Sequence, residues 1–187
     1  MKFFNKLKFK YGNKAPQNMM LYLCIAYVAG FILHIFLPRF YWIFYPTSYS
    51  LLGLLMIYVY YTIGRNLEIY WGAFEFDWFV IMGLLLHILA GLLTGLPLTL
   101  SNFNLSLLLA FMATFPDAVF RLFFIIPIKA KWLGIAYVVM TVINFIGGSA
   151  TGKVEILVSL INFVLFFFLS GKMSSLVYRI KNMFRKR

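Results

Sequence analysis

The stretch of residues 77–95, DWFVIMGLLLHILAGLLTG, gives the clearest indication of how this chain folds. Between its first Asp and its last Gly it carries no Lys, Arg, Asp or Glu. About 20 apolar residues in a helix match the thickness of the hydrocarbon core of a bilayer. Because every backbone amide in lipid needs an internal partner, such a run must be helical. The stretch therefore predicts a transmembrane span.

Similar apolar runs lie on both sides of this stretch. Hydrophobic residues make up 63% of the 187-residue chain, and its mean hydropathy is +0.89, well above the balance of a soluble domain. The runs predict six spans, at residues 18–37, 49–64, 77–95, 104–116, 132–148 and 154–171. The fourth is short for a lipid-facing span, so we expect its neighbours to enclose it. Residues 119–128 are too few to cross and are expected at the membrane interface.

Basic residues fall on one side of this six-span arrangement. With the N terminus in the cytoplasm, all but Arg39 and Lys153 of the 17 Lys and Arg residues face inward. Positive residues resist translocation, so the asymmetry predicts that both termini are cytoplasmic. The formal net charge of +12 is then expected to hold the chain against an anionic inner leaflet rather than to bind nucleic acid.

Three parts follow from this reading. Residues 1–17 form a basic cytoplasmic segment, residues 18–171 form the membrane core, and residues 172–187 form a basic amphipathic helix. The apolar residues of this last part share one helical face, so we expect the helix to lie on the inner leaflet. A docking helix for a cytoplasmic partner is the alternative.

A stripe of small residues marks the third predicted span. Gly83, His87, Gly91 and Gly95 recur at four-residue spacing, which places them on one helix face. Small residues let helix backbones approach closely. We expect this face to pack inside the bundle, with a dimer face or a groove for a client helix as the alternative. His87 is expected to be neutral and hydrogen-bonded across the interface.

Amides and hydroxyls near the predicted outer ends form a second candidate site. Asn144 and Asn162 are expected to bond between helices or, together with Ser101, Asn104 and Ser106, to line a polar cavity. The His, Asp and Glu residues lack the spacing of a metal site, so we expect no metal and no cofactor.

Two motifs resemble the rhomboid family. One is GRNLE at 64–68 followed by WG at 71–72, and the other lies in FFIIPIKAKW at 123–132. The resemblance implies an all-α bundle of six membrane helices with both termini cytoplasmic and a short fourth helix. It also implies structural roles for the motif residues Gly64, Leu67, Glu68, Trp71, Gly72, Pro127, Lys129 and Trp132. From its neighbours, Glu68 is expected to accept bonds from backbone amides or from Arg65.

Active rhomboids are intramembrane serine proteases, and the resemblance places their nucleophile near Ser101. The glycines of the Gly-x-Ser-Gly motif are replaced here by Thr99 and Asn102. The position of the family's catalytic His falls near Ser159, and the sixth span contains no His. A serine hydroxyl is a poor nucleophile without an adjacent base. We therefore expect an inactive, pseudoprotease member.

The resulting expectation is a multi-pass protein of a bacterial cell membrane that binds or stabilises other transmembrane segments. A small transport component for a neutral substrate is the first alternative, since the spans carry no charge deep inside them. An unconventional protease that uses Ser101 or Ser106 is the second.

Overall fold

The computed structural model describes residues 2–37, 51–96, 98, 102–122 and 126–185. This part of the chain is almost entirely helical, as expected. Its eight α-helices are α1 Lys2–Tyr11, α2 Met19–Phe36, α3 Leu51–Trp71, α4 Ala73–Thr94, α5 Phe103–Thr114, α6 Ala130–Gly147, α7 Ala150–Leu169 and α8 Met173–Arg185.

Three of the described helices are long and apolar enough to cross a membrane: α4, α6 and α7. A fourth crossing is added if the bent pair of helical segments at residues 6–14 and 19–33 counts as one span. The chain is therefore a helical membrane protein. α5 has 12 residues, which is about 18 Å at 1.5 Å per residue. α3 is longer but carries two charged residues, Arg65 and Glu68.

The bend between α1 and α2 measures 68° and lies at Asn18. Asn18 has φ +66°, a left-handed conformation that Asn adopts more readily than most residues. The bend turns α1 back over the start of α4, where the Phe4 ring lies 5.8 Å from Phe74 and 6.0 Å from Trp78. The basic N-terminal segment is thus a packed helix.

α3 runs seven residues beyond the predicted end of the second span. Gly64 lies inside the helix, where an added Cβ would collide with the Met20 side chain of α2. The helix stops at Gly72, whose φ of +88° suits glycine. α4 follows at once, four residues before the predicted start. The predicted ends lie beside the charged residues Arg65 and Asp77, where the hydrocarbon core is expected to end. The helices themselves continue beyond these residues.

α5 is the centre of the bundle. Eleven of its 12 residues are buried, which confirms the expectation that its neighbours enclose this short helix. The Phe103 ring lies 5.7 Å from Phe79 of α4, and Phe79 lies 5.2 Å from Phe166 of α7. Trp71 stacks on Phe166 at 4.6 Å, so the aromatic core joins α3, α4, α5 and α7.

Residues 119–128, expected at the interface, contribute to a short β-hairpin. Strands β1 Val119–Leu122 and β2 Ile126–Lys129 pair antiparallel, with Val119 opposite Lys129 and Leu122 opposite Ile126. Ala130 N donates to Ala118 O at 2.7 Å, which ties the start of α6 to the hairpin. Pro127 takes part because a two-stranded ribbon has only edge strands, where proline is tolerated.

Both terminal helices meet at one end of the bundle, which we call the basic end. It comprises α1, α8, the start of α4 and the ends of α5 and α7. Lys8 Nζ of α1 donates to Glu75 Oε1 at 2.6 Å, and Lys172, which precedes α8, pairs with the other carboxylate oxygen. The expected C-terminal helix is present, with Leu176 buried.

Candidate functional site

Buried polar side chains form a line between α4, α5 and α7, which we call the polar seam. Its members are His87, Ser106, Glu155, Ser159 and Asn162, all at most 4% exposed. On α7 the three seam residues follow at positions i, i+4 and i+7, which is one helix face. The other faces of α7 are largely apolar, so this face packs inward as a unit.

Hydrogen bonds link the seam across the helices. Ser106 Oγ donates to Phe103 O at 2.7 Å, and Asn162 Nδ2 donates to Ser106 Oγ at 3.4 Å. His87 Nδ1 lies 2.8 Å from Gly83 O. Because a carbonyl can only accept, Nδ1 carries the hydrogen and Nε2 is the acceptor of a neutral ring. The α4 imidazole is therefore held in one tautomer by its own helix, and the expectation that His87 bonds across the helix interface is wrong for the described residues.

Hydrogen-bonding capacity remains in the seam. In the described part of the chain, His87 Nε2, Ser159 Oγ and Asn162 Oδ1 are buried without a hydrogen-bond partner. Each such group costs about 1–3 kcal/mol relative to a satisfied one. Unsatisfied buried groups in native proteins cluster where a water or a polar ligand binds. The seam can therefore offer hydrogen bonds to a polar group that enters it.

Close packing at Gly83 holds the seam together. A Cβ at this position would lie 2.8 Å from Asn162 Nδ2 and 2.9 Å from Phe103 Cδ2. Both of these neighbours are fully buried. Glycine therefore permits the contact between α4, α5 and α7, as expected for internal packing of the small-residue face.

The rest of that face is used differently. A Cβ at Gly91 would meet only Leu96 O at 3.4 Å and Leu98 at 3.7 Å, in the loop that follows α4. Gly95 ends α4 in the left-handed conformation with φ +68°, a usual helix stop. The four predicted residues therefore do not act as one face: Gly83 and His87 pack inward, and the other two serve the end of the helix.

The predicted polar cavity is brought together in part. Ser106 and Asn162 meet in the seam, and Asn104 is buried on α5. Asn144 is exposed on α6, because its side of that helix contacts none of the seam. Ser101 lies outside the described residues.

Glu155 is a seam residue that the sequence reasoning missed. Asn102 Nδ2 donates to its Oε2 at 2.8 Å, which joins the start of α5 to α7. The spacing of Glu155, Ser159 and Asn162 on one helix face was the available signal. With a predicted start at 154, Glu155 falls at the very start of the sixth span. In the structure Ser149 caps α7 through a bond from Gly152 N at 3.2 Å, and the helix begins at Ala150.

The first motif lies at the α2–α3 contact. Glu68 is buried and accepts from Met19 N at 3.1 Å, and Arg65 lies 3.4 Å from its other oxygen. The expected partners of Glu68 are therefore confirmed. Leu67 and Trp71 are buried beside it, and Gly72 forms the α3–α4 junction.

The second motif lies at the hairpin. Pro127 and Lys129 are exposed, and Trp132 is 61% exposed at the start of α6.

Among the described residues, no group of three or more His, Cys, Asp or Glu side chains is arranged to hold a metal ion.

Comparisons with known proteins give no relative. No protein-family model matches the chain, and neither a curated protein nor a solved structure is similar to it.

Proposed function

We propose that this chain is a non-catalytic, rhomboid-like protein of a bacterial cell membrane that binds or stabilises other transmembrane segments. The family assignment rests on the two motifs and on their order along the chain. The observation that carries the function is the uneven packing of α6, which leaves the half of this helix beyond Thr141 exposed.

In this proposal α2 to α7 are six spans, and the basic end is cytoplasmic. Lys8 and Lys172 lie before and after these helices, yet both contact Glu75. An even number of crossings brings both ends of the chain to one side, so the shared contact supports an even number of spans, as six requires. The charge asymmetry of the loops supports the orientation. α5 crosses enclosed by protein, where a short helix suffices.

The environment of Ser106 supports the absence of protease activity. The resemblance implies a Ser–His pair between the fourth and sixth helices, and α5 and α7 meet here through Ser106 and Asn162. An amide cannot take a proton from a hydroxyl as imidazole does. The Ser106 hydrogen is directed to Phe103 O instead, at 2.7 Å.

α6 is anchored at one end only. Near the basic end Ala130 and Gly134 are buried, and Gly134 packs against Met112 of α5. Beyond Thr141 every described residue of α6 is exposed. Only 11% of its span is buried, against 33% in α4 and 39% in α7. A client helix has room beside this free half, where contacts from α6 and α7 replace contacts with lipid.

Photocrosslinking in native membranes tests this site. We expect a photoreactive amino acid at Ile143, which is 60% exposed on α6, to form adducts with other membrane proteins. The matched control is Ile32, which is 48% exposed on α2 toward the end of that helix away from α1. Equal labelling of proteins from both positions, or labelling of lipid alone, contradicts the proposal.

Removal of the Ser106 hydroxyl tests the non-catalytic assignment. We expect Ser106→Ala to lose its bond from Asn162 and its bond to Phe103 O, which at roughly 0.6 kcal/mol per bond lowers the free energy of unfolding by about 1 kcal/mol. Incubation with a panel of transmembrane substrates is expected to give the same uncleaved bands for both chains. Cleavage by the parent chain that disappears in Ser106→Ala makes the protein a protease.

A transport component is the second candidate, favoured by the unpaired atoms of the seam. His87 Nε2, Ser159 Oγ and Asn162 Oδ1 suit a small neutral molecule with hydrogen-bonding groups. Native mass spectrometry separates the two: a retained small molecule that is lost in Asn162→Leu favours transport, and its absence together with Ile143 adducts favours client binding.

A further inference from the structure

A cleft opens at the basic end between α3, α5, α7 and α8. It encloses about 120 Å³. Its polar lining consists of Tyr70, Thr114, Lys172, Ser175 and Arg179, and Trp71 and Phe167 are among its apolar walls. The lining thus combines two cations and three hydroxyl groups, and no carboxylate belongs to it among the described residues.

Arg179 is held in place by neutral acceptors. One guanidinium nitrogen donates to Thr114 O at 2.5 Å, and the other donates to the Tyr70 hydroxyl at 3.1 Å. Thr114 ends α5, so its carbonyl has no partner within the helix. Within the described residues no carboxylate pairs with Arg179. A guanidinium has five N–H groups, so these two bonds leave three available.

Lys172 adds to the positive charge of the cleft. It pairs with Glu75, but Lys8 binds the same carboxylate, so two ammonium groups share one negative charge. Lys172 Nζ also lies 5.4 Å from the centre of the Trp71 ring. Together with Arg179, the cations around the cleft exceed the carboxylates that they contact, and the site attracts an anion.

We propose that this cleft binds the phosphate group of an anionic phospholipid. Arginine suits phosphate oxygens because its planar fork donates two parallel bonds. The Tyr70 hydroxyl accepts from Arg179, so its own hydrogen supplies a further donor. α7 ends at Leu169, three residues before Lys172, which puts the cleft at headgroup depth. Trp71 and Phe167 offer an apolar wall to the glycerol and acyl part, which free phosphate lacks. This assignment is independent of client binding.

A lipid titration tests the site in the whole chain. The purified protein in neutral maltoside micelles is titrated with phosphatidylglycerol, phosphatidylcholine or inorganic phosphate, and the unfolding temperature reports binding. We expect a saturable rise with phosphatidylglycerol alone. Arg179→Gln is expected to weaken the apparent affinity about fivefold. Lys181→Gln removes the same charge from an exposed position of α8 and is expected to leave the affinity unchanged.

A second variant separates binding from folding. Ser175→Asp places a negative charge in the cleft and keeps the acceptors of Arg179. We expect loss of the phosphatidylglycerol response without a fall in the unfolding temperature of the lipid-free protein, because the new carboxylate lies one turn from Lys172 and Arg179. Equal responses of the parent chain, Arg179→Gln and Ser175→Asp to phosphatidylglycerol overturn the site. An equal response of the parent chain to phosphatidylcholine or to inorganic phosphate overturns the assignment to an anionic lipid.

Discussion

Gly83→Ala lowers the free energy of unfolding by about 1–3 kcal/mol in our first prediction, although alanine favours a helix. The new Cβ lies within 3 Å of Asn162 Nδ2 and Phe103 Cδ2. The Phe103 ring cannot move away easily, because it packs on Phe79 and on His87 at ring distances of 5.7 and 6.4 Å. Asn162 is fully buried. The clash forces α4 away from α5 and α7. Equilibrium unfolding in mixed micelles with SDS measures the loss.

Gly91→Ala is the matched control, two turns further along the same helix face. Its Cβ meets Leu96 O at 3.4 Å, an ordinary contact, so the helix-favouring effect of alanine remains. We expect the unfolding free energy to stay the same or to rise by up to about 1 kcal/mol. A destabilisation of equal size at both positions means that the contact at Gly83 does not hold the seam together.

Glu75→Ala is expected to loosen the packing of both terminal helices, α1 and α8, which is our second prediction. The carboxylate is buried, and it binds Lys8 at 2.6 Å and also Lys172. Its removal leaves two ammonium groups without their partner. We expect a loss of about 2–3 kcal/mol, below the full cost of breaking a buried pair because both lysines are partly exposed. Hydrogen exchange is expected to accelerate in α1 and in α8.

Glu155→Gln is the control for this result. Glu155 is a carboxylate of similar burial on α7, away from the basic end, where it accepts from Asn102. We expect this variant to leave the exchange of α1 and α8 unchanged. If Glu75→Ala accelerates exchange in only one terminal helix, then Glu75 does not join the two ends.

Properties that depend on one helix at a time were predictable from the sequence. The hydrophobicity of residues 77–95 identified a membrane helix, and the length of residues 104–116 implied that their neighbours enclose them. The apolar face of residues 172–187 gave the C-terminal helix. Each of these rests on a local sum, such as the transfer of one segment into lipid or the periodicity of one face.

Helix ends were harder to predict because turn geometry and packing decide them. Gly64 was read as an end, yet it lies inside α3 against Met20, and Gly72 stops the helix with a positive φ. In a sequence, a glycine is compatible either with a close contact between helices or with the end of a helix. Only the neighbouring helix determines which of the two applies.

Hydropathy and charge add up along the chain, so a helical membrane protein with a strongly basic balance was predictable before the helices were packed. Which polar groups meet depends instead on the packing of the helices. Glu75 binds lysines 67 and 97 residues away, and Ser106 meets Asn162 from another helix. Such pairs depend on the rotation and depth of each helix in the bundle. Hydrophobicity does not specify the rotation or the depth of a helix. At Gly83, the packing of small and aromatic side chains fixes both for α4, α5 and α7.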